Sequence, residues 1–238
     1  MAARRRADRP GTGDAPDRAA PGTLADGAYR ALRRDIIQGS FAPGQPLRLE
    51  LLRQRYGLSF SPLREALNRL QSERLVVSAA LRGFSVSPLS TAEMWDATET
   101  RILIECEALR RSVKAGDDDW EAAIVAAFHA LDLQVRRLKR DGEAADASIL
   151  GKRHHEFHRA LIARCGSNRL IEIADQLHAE TERYRIPTLT GRSKPEAARD
   201  VPEEHRQIMQ AALARETERA AELLAQHYRR TALAVGAS

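Results

Sequence analysis

The sequence is poor in cysteine and in aromatic residues and has no long apolar run, and each shortage excludes a class of protein. Two cysteines, Cys106 and Cys165, are too few for a disulfide framework, so we expect packed, reduced thiols. No apolar stretch approaches the roughly 18 residues needed to cross a bilayer. Arg4-Arg5-Arg6 is not followed by the apolar segment of a secretory signal. The expected compartment is therefore the cytosol, and the low aromatic content of 5% favours helices packed by Leu, Ala and Ile.

Charge and histidine are unevenly distributed along the 238 residues, a length that allows two domains. Residues 23–89 hold ten basic and five acidic side chains, whereas residues 90–238 hold 23 basic and 25 acidic ones. No histidine occurs before His129. Positive charge concentrated in the first third suits contacts with phosphates. The separation predicts two domains with different tasks.

A helix-turn-helix pattern occupies residues 47–68, LRLELLRQRYGLSFSPLREALN. Its leucines predict a short first helix. Gly57 then accepts the positive φ that a tight turn between helices often needs. Ser61 is a good N-cap for a second helix, and Pro62 is tolerated at the first helical position.

Two faces are predicted for the second helix. The buried face comprises Leu63, Leu67 and Leu70, and the polar face comprises Ser61, Arg64 and Asn68. A polar face on the second helix of a helix-turn-helix suits the major groove of DNA. The alternative is a helical hairpin whose polar face is merely solvated.

The flanking segments predict a small domain around this motif. Residues 1–22 are rich in Arg, Ala, Pro and Gly, which indicates a disordered tail. A helix is expected at about residues 24–38, with Arg30, Arg33 and Arg34 facing DNA or solvent. After the second motif helix, residues 75–86 form two β-type runs around Arg82-Gly83. A hairpin at this place is the wing of a winged helix, and Arg82 would reach a phosphate or the minor groove.

From Ser90 onward the pattern is helical. Ser90-Thr91-Ala92-Glu93 is a capping box. Asp117-Asp118-Asp119 is expected to start another helix, because negative charge near a helix N-terminus is favourable. Further helices are expected at about residues 120–140, 144–165, 168–185, 202–214 and 217–234. The predicted fold is therefore mainly α, with a winged helix-turn-helix at residues 23–89 and an all-helical ligand-binding domain at residues 90–238.

Four histidines of the second region fall on apolar helix faces. His154 and His158 are one helical turn apart, and His205 and His227 lie on later helices. Imidazole clusters suit Zn²⁺, Ni²⁺, Cu²⁺ or Fe²⁺. The alternative is that these side chains are ordinary core residues. The other three, His129, His155 and His178, lack this context and are interpreted as surface or structural residues.

Residues 24–89 resemble the winged-helix domain of the GntR family of bacterial transcriptional regulators. The resemblance rests on Gly39…Pro43-Gly44…Leu47, on the run from Gly57 to Leu67, and on Leu75-Val76…Arg82-Gly83…Val86. It implies DNA contacts by Arg34, Ser59, Phe60, Ser61, Arg64, Asn68, Arg82 and Gly83. The sequence departs from the family at Phe60, where an Arg that contacts guanine is usual, and at Arg74, where Gly is usual. A Phe cannot donate to guanine, although it can pack on a thymine methyl.

Residues 90–230 resemble the helical FCD domain of the FadR-type branch of that family. The resemblance rests on Glu99-Thr100-Arg101…Glu105, Glu156-Phe157-His158, Gly166-Ser167-Asn168, His205 and His227. In metal-binding members three His and one Asp hold a divalent ion, and His154 stands here at the position of the Asp. The resemblance implies a divalent metal site at His154, His158, His205 and His227, and an all-imidazole donor set favours Zn or Ni.

The same resemblance implies that Arg101, with Glu105 and Asn168, binds a small organic acid. The alternative is a simple helix pair of Arg101 with Glu105. The expected protein is a homodimeric regulator, most simply a repressor, that binds a double-stranded DNA operator and has no membrane partner. Two other hypotheses remain open at this point. One is a metal-dependent hydrolase-like enzyme, and the other is a DNA-binding or adaptor protein without metal or effector.

Overall fold

The basic first third folds as three helices and a hairpin in the computed structural model, which describes residues 23–79, 83–141, 147–189 and 199–236. The elements are α1 (Leu24–Ile37), α2 (Leu49–Tyr56), α3 (Phe60–Ser72), β1 (Val76–Ala79) and β2 (Gly83–Val86). The strands are antiparallel, with Val76 opposite Val86. This is the predicted winged helix-turn-helix. The tail predicted at residues 1–22 lies outside the described residues.

Helix α1 begins and ends as its sequence dictates. Thr23 and Asp26 form a reciprocal capping box at the first turn. Gly39, just beyond the last turn, adopts a positive φ of 72°, which glycine does at little cost. The apolar positions Ala28, Leu32 and Ile36 are buried against α3 and share its core.

The helix-turn-helix differs from its prediction at two points. Helix α3 begins at Phe60 with Ser59 as N-cap, so Ser61 is not the cap. The reason is that Ser59 has extended backbone angles, and Pro62 then occupies the third helical position, where its missing N–H is still one that has no intrahelical acceptor. In α2 only Leu52 is buried, and Leu51 is 57% exposed. Gly57 has the predicted positive φ, 66°.

The second region is helical throughout the described residues. Its elements are α4 (Thr91–Ala115), α5 (Asp118–Asp141), α6 (Ala147–Leu161), α7 (Asn168–Leu189), α8 (Val201–Leu213) and α9 (Thr217–Gly236). Helix α4 packs between α7 and α9, and α5 packs on α6 and α8. One apolar core joins these helices around the fully buried Phe157. Within the described ranges, no helix has both the length and the apolar character that spanning a membrane requires.

Helix α7 contacts both parts of the chain. Ala179 is fully buried in the core of the winged helix, and Arg183 donates to the backbone carbonyl of Ser87, just after β2. Tyr184 accepts a hydrogen bond from the backbone N–H of Ser90 at 3.4 Å. The opposite side of α7 faces the interior of the helical domain, so a displacement of α7 would reach both regions.

Candidate DNA-binding surface and metal centre

The polar face predicted for α3 is exposed. Ser61, Arg64 and Asn68 all face solvent, while the leucine stripe of the same helix is buried. Phe60, the first residue of α3, is 44% exposed, and the guanidinium of Arg53 lies 5.8 Å from its ring centre. These side chains are therefore exposed and available for contacts in a major groove.

The remaining residues predicted to contact DNA differ in their exposure and in their partners. Arg34 and Ser59 are exposed, and Gly83 opens β2 with a φ of 76°. Arg82 lies outside the described residues. Arg33 is not part of an open basic face, because its guanidinium pairs with Glu73 at 2.8 Å and also contacts α7.

The four histidines predicted as metal ligands lie together. His154 and His158 come from α6, His205 from α8 and His227 from α9, and each is 5% exposed or less. One ring nitrogen from each lies within 4.8 Å of those of the other three. Three helices thus converge on one point, because each carries its histidine on the face that packs inward.

The imidazoles are held in the neutral form. Burial lowers the pKa of His154, His158 and His205 well below the ordinary value of 6.5. Burial also lowers the pKa of His227, to about 4. Neutral imidazole is the form that ligates metals, so no proton has to be removed at neutral pH.

Hydrogen bonds direct two of the rings. The hydroxyl of Tyr228 donates to Glu105 at 2.5 Å, so it accepts from Nδ1–H of His158 at 3.0 Å. Nδ1 of His227 lies 2.8 Å from the Glu204 carboxylate and 3.2 Å from Nη2 of Arg199, and the shorter contact, to a group that can only accept, makes Nδ1–H the donor. Both rings therefore keep the Nε2 lone pair turned away from these partners, an arrangement typical of metal-binding histidine.

Nε2 of His205 is buried and has no hydrogen-bond partner among the described residues. An unpaired buried nitrogen costs about 1–3 kcal/mol, and a bound cation would remove that cost. The donor set, four neutral imidazoles with one orphaned nitrogen, therefore fits a divalent transition metal.

Each carboxylate beside the cluster is already paired with an arginine. The pairs are Glu105 with Arg101 at 2.5 Å, Glu182 with Arg185 at 2.8 Å, and Glu204 with Arg199 at 2.6 Å. Although burial opposes ionisation of Glu204, hydrogen bonds from Arg199 and His227 hold its pKa well below the usual value. These pairs leave no net negative charge beside the histidines.

Arg101 is buried, and its guanidinium contacts four side chains. Besides Glu105, its guanidinium contacts Thr181 at 3.0 Å, His178 at 3.3 Å and the Tyr228 hydroxyl at 3.2 Å. The helix pair of Arg101 with Glu105 is thus present. Arg101 also lines a narrow cleft of about 20 Å³ between α4, α7 and α9.

Asn168 is not brought to this site. It is the exposed first residue of α7, ten residues before His178 and thus about 15 Å away along the helix axis. Its position after the Gly166 turn explains the distance, because a helix start lies at the end of the bundle rather than at its centre.

Three side chains of α7 that the sequence reading missed belong to the cluster. His178, interpreted as a surface or structural residue, is buried, as is Glu182, and Arg185 bonds to His154. His178, Glu182 and Arg185 follow one another at spacings of four and three, on the inward face that also carries Ala174. Polar residues at core spacing were the signal that could have found them.

Family models match most of the described chain. Residues 24–86 match the bacterial regulatory proteins of the gntR family, and residues 96–230 match the FCD domain.

Several known regulators are similar over nearly the full length. The uncharacterized HTH-type transcriptional regulator BphR of Paraburkholderia xenovorans is 40% identical over 205 residues, 86% of this chain and 82% of that protein. The HTH-type transcriptional repressor GlaR of Escherichia coli is 38% identical over 211 residues, 86% of this chain and 92% of that protein. The solved structure of E. coli McbR/YncC matches 88% of this chain and 95% of that chain with a TM-score of 0.74 at 21% identity, a likeness of fold.

Proposed function

The chain belongs to the GntR family of bacterial transcriptional regulators and carries an FCD domain, and we propose that it is a metal-dependent, effector-controlled repressor of the FadR-type branch. Its relatives are transcriptional regulators, so it is a regulator and not an enzyme. Repression is supported by the 38% identity to GlaR, which is named a repressor. The proposed division is a tail at residues 1–22, a DNA-binding domain at residues 23–89 and an effector domain at residues 90–238.

The observation that carries the proposal is the buried cluster of neutral imidazoles. His158, His205 and His227 would hold the ion through Nε2, and His154 stands at the fourth position. The nitrogen donors favour Zn²⁺ or Ni²⁺. When bound, the ion would supply positive charge and coordination positions open to an anion.

The effector we propose is a small organic acid. A divalent ion on neutral imidazoles adds two positive charges to a buried site whose carboxylates are already paired with arginines. An anionic ligand would offset that charge, and burying an uncompensated charge is costly. Arg101 and Arg185 line a narrow cleft beside the cluster, and their guanidinium groups would offer donors to a carboxylate there.

Control of DNA binding would follow from differential affinity. An effector shifts the regulator only if it binds one arrangement of the winged helices better than the other. Helix α7 contacts both the cluster and the winged helix, which supports such coupling. We further propose a homodimer that binds a pseudo-palindromic operator in the cytoplasm, where bacterial DNA lies.

Elemental analysis of protein purified without a histidine tag tests the metal site. We expect about one Zn or Ni per chain, and a lower melting temperature after chelation that added Zn²⁺ restores. His205→Ala should lose the metal, whereas His129→Ala, which removes an exposed histidine of α5, should keep it.

Operator binding by the same preparations tests the function. We expect DNA affinity to fall with rising salt and to change when metal is removed. Salt-sensitive DNA binding without stoichiometric metal, and without stabilisation by added metal, would favour the simpler regulator that has neither metal nor effector.

A further inference from the structure

Arg185 determines which nitrogen of His154 carries a proton. One guanidinium nitrogen, Nη1, lies 2.8 Å from Nδ1 of His154 and 2.8 Å from a carboxylate oxygen of Glu182. A guanidinium can only donate hydrogen bonds, so Nδ1 of His154 must be the acceptor and carries no hydrogen. The neutral ring then has its hydrogen on Nε2.

That hydrogen is directed at a proposed metal ligand. Nε2 of His154 lies 3.2 Å from Nε2 of His158. Nδ1 of His158 donates to Tyr228, so its Nε2 is the acceptor. The N–H of His154 therefore covers the lone pair of His158 with which a metal would bond.

We propose that Arg185 acts as a latch that keeps His154 out of the metal ligand set and thereby limits metal affinity. The inference rests on the proposed metal site. For His154 to ligate through Nε2, the Nε2 proton must leave and one proton must be taken up at Nδ1. The protonation count of the ring is unchanged, but Nδ1 must first lose its bond from Arg185.

A histidine at this position makes the latch possible. A carboxylate has two acceptor oxygens, so it could bind an arginine with one and face a metal with the other. A neutral imidazole has a single lone pair, and the latch uses it. Arg185 also lines the cleft where we place the effector, so a carboxylate there would compete with His154 for the guanidinium.

The tautomer of His154 can be measured without any metal. Nitrogen-15 NMR of the chelator-treated, full-length protein should show His154 protonated at Nε2, and His158 and His227 protonated at Nδ1. A His154 signal with the proton on Nδ1 would overturn the latch, because Arg185 could not then be its donor.

Zinc affinity measured by calorimetry tests the consequence. Arg185→Met removes the donor and should tighten Zn²⁺ binding at least tenfold, and adding His154→Ala should abolish the gain. Arg229→Met removes the same charge from an exposed pair with Glu99 and should change nothing. Because Arg185→Met leaves the buried Glu182 unpaired, the double variant Glu182→Gln/Arg185→Met provides a second version that removes both charges.

The outcomes separate the two proposals. Zinc binding by the wild type that neither Arg185 variant tightens would overturn the latch alone. No zinc binding by the wild type or by any variant would overturn both the latch and the metal site.

Discussion

Phe60 is the side chain at which recognition of the operator should differ from that of other family members. It is the first residue of α3 and is exposed beside Arg53. A benzyl ring can pack on a thymine methyl but has no donor for guanine, whereas an arginine can bond O6 and N7 of guanine together.

Phe60→Arg should therefore shift the preferred half-site toward one that contains G. Selection of binding sites from a random DNA pool, run on both proteins, measures the shift. Gln71→Arg, which adds the same charge near the other end of α3, is the control. Identical selected motifs for wild type and Phe60→Arg would mean that position 60 does not read bases.

Arg74 occupies a conformation that favours glycine. Its φ is 58°, at the tight connection between α3 and β1. A left-handed conformation costs a residue with a side chain roughly 1–2 kcal/mol. Glycine avoids this cost, but part of the gain is offset because glycine makes the unfolded chain more flexible. We expect Arg74→Gly to raise the free energy of unfolding by about 0.5 kcal/mol in urea titrations.

Arg215 is the matched control for Arg74. It has a similar φ of 60°, but its guanidinium donates to the carbonyl of Val113 and pairs with Glu121. Arg215→Gly should lower the free energy of unfolding, because the loss of those contacts outweighs the relief of backbone strain. Equal effects of the two substitutions would show that backbone strain does not decide the outcome.

At the scale of elements, the junction of α4 and α5 is closed by contact between Gly116 and Trp120. A Cβ at position 116 would lie 2.1 Å from the Trp120 ring. The ring is buried, and its N–H donates to the carbonyl of Ala160 at 3.0 Å, so it has little room to move. Gly116→Ala should therefore destabilise the protein by roughly 1–3 kcal/mol.

Gly27→Ala is the control within a helix. A Cβ there would meet nothing within 4 Å, and alanine favours the helix by about 0.5–1 kcal/mol over glycine. Thermal unfolding of both variants is the measurement. A neutral Gly116→Ala would mean that the α4–α5 junction can open to accept the methyl group.

Helices with a regular apolar period could be predicted from the sequence. Which side chains contact each other across two helices could not. The repeat of Ala28, Leu32 and Ile36 led to α1, and the inward histidines led to the four-residue cluster. Periodicity places a side chain on a face of its own helix but says nothing about what lies opposite. His178 and Arg185 were missed for that reason, since only the packing of α7 on α4 and α6 reveals their partners.

At the scale of the whole molecule, most of the buried polar side chains that the structure describes lie in the helical domain, whereas in the winged helix only Asp35 and Ser87 are buried among the described residues of this kind. The histidines, Arg101 and Glu105 are enclosed by the helical domain, whereas α3 presents an open polar face. Helix α7 contributes Ala179 to the winged-helix core and Arg185 to the histidine cluster. One helix therefore contacts both the winged-helix core and the histidine cluster.

Burying several neutral histidines should make the metal-free protein sensitive to mild acid. Burial lowers the pKa of six histidines, to about 4 for His227. Five of them are buried, namely His154, His158, His178, His205 and His227, and the sixth, His155, is half-buried. In the unfolded chain these groups titrate near pH 6.5, so below that pH the unfolded state binds protons that the folded state does not. The stabilisation is thus complete above pH 6.5 and is lost as the pH falls toward the folded pKa values.

The loss should be steep, because each such histidine contributes up to about 1.4 kcal/mol per pH unit in this window. Total stabilities of domains are only about 5–15 kcal/mol, so several histidines acting together should lower the melting temperature of the chelator-treated helical domain as the pH falls below 6.5. Both tryptophans, Trp95 and Trp120, lie in that domain, so fluorescence-detected melting between pH 7.5 and 5 reports its stability.

Zn²⁺ should raise the melting temperature at pH 7.5 and lose its effect at lower pH, since protons compete for the same nitrogens. His129→Ala should follow the wild-type curve, because His129 is exposed. A melting temperature that stays constant from pH 7.5 to 5 would mean that the cluster accepts protons in the folded state. The assignment of neutral imidazoles that are ready to bind a metal would then be wrong.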